Sequence, residues 1–357
     1  MSVEGIESGE EKGISLFSGE KSYRDGVCEA ISSFASRVIQ LNCFCKRGVL
    51  QTFTPIHVGE YGQANSLVLE VAYRAMRFAI ATPAWMGTLL FSTCASMMAA
   101  VANGIHSRSY RVTCGTFDGE LSKKPKLFLL NPRMLSGLNP LKKGGVALGG
   151  ERFDRLVSTI RDNNPDIVFL PEIDRWNASS LTGLLKDQYH FFFTGMGEKA
   201  LGEDASFFIA FRGELVKPPE YISFKKQGGF MERGYFIMET VDRVYVSTYL
   251  PKREDWDEIF SRDFGGKKVT LMGEMDLELE EYLREKGFAS SLLEGVELTT
   301  SAPYNHFHGK EREGIKEGPF LFLSQIGGET EMIPMHDIEK IDEALSDHSL
   351  ILHRLAK

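Results

Sequence analysis

Hydrophobic positions recur with two different periods along the chain, and the change from one to the other divides it. Between residues 26 and 45, Val27, Ile31, Phe34, Ala35, Val38 and Leu41 fall at helical spacing. A second amphipathic stretch covers Leu67 to Met76, and Pro55, Gly59 and Gly62 mark a loop between the two. From Phe78 to Ile105 no charged residue occurs, a stretch longer than the roughly 20 residues a helix needs to cross a bilayer. Arg74 and Arg77 flank it on one side, Arg108 and Arg111 on the other, while Pro83, Gly87 and many Thr, Ser and Ala residues leave it only moderately apolar. Two readings follow: a transmembrane helix over 78–105, or the buried central helix or helical hairpin of a small N-terminal region, 26–110. In the first, the denser positive charge beyond the stretch (Lys123, Lys124, Lys126) places the rest of the chain in the cytoplasm.

Residues 106 to 126 are polar, carry Gly115, Gly119 and Pro125, and form a boundary. Beyond it short apolar runs alternate with amphipathic stretches. Lys126 to Leu130 reads as a strand ending at Asn131, and a Gly-rich loop covers 137–150. Phe153, Leu156, Val157 and Ile160 form a helix stripe, and Ile167 to Leu170 is a buried strand that stops at Glu172. Leu181 to Leu185 reads as a short helix, Tyr189 to Phe193 and Ser206 to Phe211 as strands. Tyr235 to Thr240 and Arg243 to Thr248 make a hairpin turning at Val241-Asp242. Val269 to Met272, an acidic helix over Leu277 to Lys286, Pro319 to Ser324 and Ser349 to Leu355 complete the series. Many strands with few interspersed helices predict an α+β protein with two packed sheets and helices outside.

Composition narrows the function classes. A hydrophobic content of 43% and a charged content of 25% describe an ordinary folded protein. The net charge of −8 disfavours a dedicated nucleic-acid binder, and the lysine pairs are scattered, as solubilising charge is. All five cysteines lie before residue 120, without the spacing of a disulfide framework; Cys43 and Cys45 flank a single Phe, too close for a zinc pair. They read as small buried hydrophobes in a reducing, cytoplasmic setting. Residues 1–25 are polar, acidic and Gly/Ser-rich, with no apolar run of a secretory signal, and read as a disordered lead-in.

Four strand ends carry polar residues: Asn131, Glu172, the turn Gly273-Glu274-Met275-Asp276, and Ser346-Asp347-His348. In this order and at these intervals, with Pro165-Asp166 opening the run to Pro171-Glu172, they resemble the endonuclease/exonuclease/phosphatase superfamily over residues 126–357. That group includes nucleases, inositol-polyphosphate 5-phosphatases, neutral sphingomyelinases and deadenylases. The resemblance implies a four-layer α/β/β/α sandwich following the helical N-terminal region. It implies that Glu172, assisted by Asn131, holds Mg²⁺ (or Mn²⁺), and that His348, oriented by Asp347, contacts the scissile phosphate. The chemistry is consistent: Mg²⁺ prefers a few hard carboxylate oxygens with water and substrate oxygens, and phosphoester hydrolysis needs neutralised phosphate charge and a positioned water.

The chain also departs from that pattern. The family's Gly-Asp-Phe-Asn is Gly273-Glu274-Met275-Asp276 here. The longer Glu274 side chain shifts a base by about 1 Å, enough to cost about 10²-fold in rate, and Asp276 puts an anion where an amide donor faces phosphate. A second cation bound by Glu274 or Asp276 would restore attraction. Thr-His-Leu becomes Thr248-Tyr249-Leu250, with Tyr249 still a hydrogen-bond donor, and Phe320 stands in the place of an Asp partner of the catalytic His. The leading expectation is a Mg²⁺-dependent phosphoester hydrolase in which Glu274 and Asp276 orient the attacking water, membrane-tethered and acting on a phospholipid or phosphoinositide headgroup. The alternative is a relative that has lost catalysis and serves as a binding or scaffolding module; a nuclease is the third reading.

Overall fold

In the computed structural model the described residues are a set of helical positions between 27 and 52, then 64–105, 110–132, 134, 149–173, 175–197, 207–224, 233–249 and 252–275, with shorter pieces up to residue 355. The expected lead-in 1–25 and the loop over 137–148 lie outside them. Helix α1 (Ala64–Ile105) precedes the strands β1 (Arg111–Cys114) and β2 (Lys126–Leu129). Helix α2 (Gly149–Asn163), β3 (Ile167–Leu170), α3 (Arg175–Leu184), β4 (Phe191–Thr194), β5 (Phe208–Phe211) and β6 (Glu220–Ser223) follow. Then come β7 (Gly234–Glu239), β8 (Arg243–Tyr249), α4 (Arg253–Phe260), β9 (Lys268–Met275), β10 (Tyr304–Asn305) and β11 (Lys310–Glu311). The last three are β12 (Phe320–Ser324), β13 (Gly328–Ile333) and β14 (Leu350–Leu355).

Two sheets face each other. One runs β1-β4-β5-β3-β2-β14-β13, the other β12-β9-β8-β7-β6. Each contains one parallel pair among antiparallel neighbours: β2 with β3 in the first, β8 with β9 in the second. Strand alternation sorts the side chains into three cores. Leu127, Leu129, Phe169, Phe193 and Phe211 point inward from the first sheet and meet Phe236, Met238, Tyr245 and Met272 of the second. Their alternates Phe128, Val168, Phe192 and Phe208 point outward onto the stripe Phe153, Leu156, Val157 and Ile160 of α2. On the far side, Val244, Val246 and Leu271 pack against Trp256 and Ile259 of α4. The layers are therefore helix, sheet, sheet, helix, the sandwich expected from the sequence.

One end of the first sheet is tied by polar contacts. The Asp166 carboxylate accepts the Lys126 backbone N–H at 2.8 Å and lies 3.8 Å from the Arg212 guanidinium. Arg212 also donates to the Asn164 side-chain oxygen (2.7 Å) and the Gln188 carbonyl (2.6 Å). Pro165-Asp166 thus fixes the entry of β3, opposite to the end that carries Glu172. Asn164 closes α2 in the left-handed region (φ 45°), its N–H on the Ile160 carbonyl, as helix-ending Asn residues do.

Several boundaries differ from the sequence reading. The sheet begins at Arg111–Cys114, which pairs with β4, so the folded unit starts before 126 and takes in part of the expected boundary. Helix α3 starts at Arg175, earlier than Leu181, because its first turns are polar and carry no apolar period. Strand β6 and helix α4 were not expected; α4 buries only Trp256 and Ile259 within a charged sequence. Of the acidic helix over 277–286, the described residues Tyr282, Leu283 and Glu285 are helical. Leu67–Met76 and 78–105 are one continuous helix, α1, which runs through Pro83. Its candidate membrane segment, Val68–Ala95, is only 11% buried, so a buried central helix does not describe it. Among the cysteines, Cys28 is buried as expected but Cys94 is exposed, and neither is in a disulfide.

Gly273 lies directly against the backbone of its β8 partner Thr248. A Cβ there would lie 2.2 Å from the Thr248 carbonyl oxygen, whereas one at Gly183, within α3, meets nothing within 4 Å. Gly273→Ala is expected to cost about 2 kcal/mol or more through backbone displacement. Gly183→Ala is expected to stabilise by about 0.5–1 kcal/mol through helix propensity. Denaturant midpoints of the two variants, compared with the parent chain, check both signs.

Candidate active site

A parallel strand pair delivers both its C-terminal ends to the same edge of a sheet. Here each sheet does so, and the four ends meet. Asn131 follows β2, Glu172 follows β3, Tyr249 closes β8 and Glu274 sits near the end of β9, with Tyr249 and Glu274 direct partners in the register. The Asn131 amide nitrogen donates to Glu274 Oε2 at 2.6 Å, and the Tyr249 hydroxyl donates to Glu172 Oε1. Both bonds run between the sheets, each pairing a donor of one sheet with a carboxylate of the other.

Burial makes these bonds matter. Asn131 is 1% and Glu274 2% exposed, so the Glu274 carboxyl is cut off from water and depends on its partners. Glu172 is half-buried and takes φ 53°, a left-handed conformation that costs a non-glycine residue about 1–2 kcal/mol. That conformation is held by the Met134 N–H on the Glu172 carbonyl (2.8 Å) and by the parallel bridge between Met134 and Ile173. The loop after Asn131 is fixed in turn by Arg152 of α2, whose guanidinium donates to the Pro132 carbonyl at 2.9 Å.

The Tyr249 hydroxyl reports the charge of the cluster. Burial pushes its pKa far above the usual phenol range, the Glu274 and Glu172 carboxylates push it further, and Arg233 pulls it down. Tyr249 is therefore a neutral donor, lodged between two acids. Arg233, which the sequence reading did not name, is the cation whose charge opposes that shift. The signal was present: β7 pairs with β8 antiparallel, Tyr235 opposite Thr248, so the residue just before Gly234 lies level with the end of β8.

Of the residues expected from sequence, Asn131, Glu172, Tyr249 and Glu274 come together. Glu274, for all its extra methylene, is seated against Asn131. Asp276, Asp347 and His348 lie outside the described residues. Phe320 does begin a strand beside β9, its backbone opposite Met275, with Leu321 opposite Glu274. Among the described residues no group of three or more His, Cys, Asp and Glu stands together as a metal cluster. The donors that do converge are two carboxylates and one amide.

No protein-family model matches this sequence, and no curated protein does. Solved structures do. Zebrafish (D. rerio) TDP2 complexed with a single strand DNA product is 15% identical, covers 65% of this chain and 99% of that one, and has a TM-score of 0.44. An endonuclease/exonuclease/phosphatase family protein from Leptotrichia buccalis is 14% identical over 65% of this chain and 100% of that one, at 0.43. One from Bacteroides vulgatus is 16% identical over 66% and 99%, also at 0.43. The latter two carry the name of the family that the sequence elements resemble. The layering and the cross-sheet contacts described above rest on this chain's own geometry.

Tyr189, Tyr245 and Tyr249 are all pushed upward in pKa, chiefly by burial. In the unfolded chain a phenol ionises near pH 10, while in the fold these three stay neutral. Above about pH 10 the unfolded state therefore holds fewer protons, and stability falls by about 1.4 kcal/mol per pH unit for each such group. Tyr249→Phe is expected to make the alkaline loss of stability shallower than in the parent chain, read from denaturation midpoints between pH 9 and 12.

Proposed function

We propose that this chain is a divalent-metal-dependent phosphoester hydrolase whose site is the rim where Asn131, Glu172, Tyr249 and Glu274 meet. That meeting, built from four strand ends in two sheets, is the observation that carries the reading. The donor set suits Mg²⁺ or Mn²⁺: two carboxylates and an amide offer hard oxygens, few enough that water and substrate oxygens complete the shell. Glu172 and Glu274 also place two negative charges close enough for both to act on Tyr249, a combination a cation would relieve. When bound, the ion supplies charge neutralisation at the phosphate and a water of lowered pKa.

The protein's own groups have distinct tasks. Glu172 and the Asn131 amide oxygen would hold the ion. Tyr249 keeps one Glu172 oxygen oriented, and as a neutral phenol it donates without adding charge. Glu274, anchored by Asn131, presents a carboxylate for orienting the attacking water, with Asp276 assigned the same task. Arg233 is near enough for its charge to act on Tyr249 and offsets part of the acid charge there. His348, oriented by Asp347, is assigned to the leaving-group side of the phosphate. The substrate class we propose is the headgroup of a phospholipid or phosphoinositide, supported by the net charge of −8 and by the exposed apolar helix α1, which suits a membrane-associated enzyme with its sandwich in the cytoplasm.

The test is hydrolysis of bis- and mono-nitrophenyl phosphate and of lipid headgroups, with and without Mg²⁺. Glu172→Gln is expected to lose about 10²–10³-fold of the metal-dependent turnover. In the parent chain a hundredfold excess of Mg²⁺ over Kd is expected to raise stability by about 2.7 kcal/mol, and the variant should lose that gain. Full metal-dependent turnover by a folded Glu172→Gln chain would overturn the assignment. Mg²⁺-linked stabilisation without turnover on any ester would instead support a binding module that has lost catalysis, the reading that Asp276 in the place of an amide favours.

A further inference from the structure

The N-terminal helices are built inside out. Cys28, Ala35, Asn42 and Val49 recur at every seventh residue of the first helical stretch, and all four are buried. Helix α1 answers with Thr88, Ala95 and Ala102 at the same interval, Ala95 and Ala102 buried. The Thr88 hydroxyl donates to the Asn42 side-chain oxygen at 3.1 Å, which fixes the register. Stepping one heptad in opposite directions from that contact sets Ala35 level with Ala95 and Cys28 level with Ala102. In a parallel pair Thr52 and Ala64 would lie about 50 Å apart along the axes, more than the about 40 Å that twelve residues span, so the two stretches pair antiparallel along a seam of small residues, a packing that lets helix backbones approach closely.

The large side chains are on the outside. Projected along α1 at the α-helical repeat, the exposed Phe78, Leu89, Met86, Leu90, Ile80 and Phe91 occupy an arc of roughly 220°, and the seam fills the remainder. A protein partner, including a second copy of this chain, covers one face of a helix. Apolar surface on every side but the seam calls for an apolar solvent. The hydroxyls of Thr88, Ser92 and Thr93 fit such a solvent by bonding back to the preceding turn, whereas Thr82 Oγ1 and Trp85 Nε1 are buried without a partner. Ser92 and Thr93 donate to the Leu89 carbonyl (2.9 Å each), and the single Thr88 proton is shared between the Asn42 oxygen and the Ala84 carbonyl (3.0 Å).

We infer that this hairpin is embedded in one leaflet of a lipid bilayer and lies along it without crossing. Arg37 decides the orientation. It is exposed on the first stretch, level with Thr93 in the paired register, in the middle of the uncharged part of α1. A hairpin spanning the bilayer would hold this guanidinium near the hydrocarbon centre, a costly position. Lying in the plane, the first stretch keeps Arg37 among the headgroups and α1 sinks beneath it. Both ends of the hairpin then remain on the side of the membrane where the sandwich is. The inference is independent of any catalytic activity.

The exposed Cys94 of α1 gives a direct readout. The full chain is translated cell-free in the presence of preformed phosphatidylcholine vesicles with one-fifth phosphatidylglycerol, then treated with a membrane-impermeant maleimide, and labelling is mapped by peptide mass. The chain is expected to float with the vesicles in high salt. Cys94 labelling is expected to fall by about tenfold or more against the detergent-dissolved chain. A Glu60→Cys variant, marked in the segment that joins the two helical stretches, is expected to be labelled from outside in intact vesicles. Protection of that cysteine would mean a hairpin that crosses the bilayer, and would overturn the proposal. So would equal labelling of Cys94 with and without lipid, or a chain that stays in solution as a dimer.

Discussion

The pairing of two parallel strand couples, β2/β3 and β8/β9, back to back across an aromatic core is the constraint on which the rest of the sandwich depends. A parallel couple sends both C-terminal ends to one edge, and packing two couples face to face brings four ends to one rim. Each sheet contributes one carboxylate and one hydrogen-bond donor, and the donors reach across to the opposite acid. The site is therefore a joint between the layers, and its geometry is only as firm as the Phe- and Tyr-rich core beneath it.

The two ends of β3 show how one short strand divides its duties. At its start, Asp166 is spent on structure, accepting the Lys126 N–H and lying beside Arg212, which is itself held by Asn164 and Gln188. At its finish, Glu172 is held in a left-handed conformation by backbone contacts from Met134. Strain of that kind persists only where the surroundings over-determine it. The acid cluster it serves is self-consistent: Tyr249 stays protonated because it is buried and has two carboxylates beside it, and in that state it is the donor Glu172 needs.

The N-terminal helices obey the opposite rule to the sandwich. In the sandwich large apolar side chains are inside and charges outside; in the hairpin small residues line the contact and large ones face out. Alanine-sized residues exclude little water from a seam, so such a contact is weakly driven in aqueous solution and well suited to surroundings in which close backbone approach is the main source of attraction.

Much of the architecture was legible because strand periodicity and helix stripes are local. Ile167–Leu170, the stripe on α2 and the hairpin turning at Val241-Asp242 are found where the apolar pattern places them. Elements with weak local patterns were not legible: β1 lies in a polar stretch, α4 buries two residues among charges, and α1 continues through a proline. The sequence by itself determined which residue types stand at the strand ends, since Asn131, Glu172, Tyr249 and Glu274 are read off directly. Only the tertiary structure decided who binds whom, that Asn131 holds Glu274 and that Tyr249 holds Glu172. Those contacts are set by which strand ends meet across two sheets, and residues 77 and 143 positions apart carry no local pattern that records it.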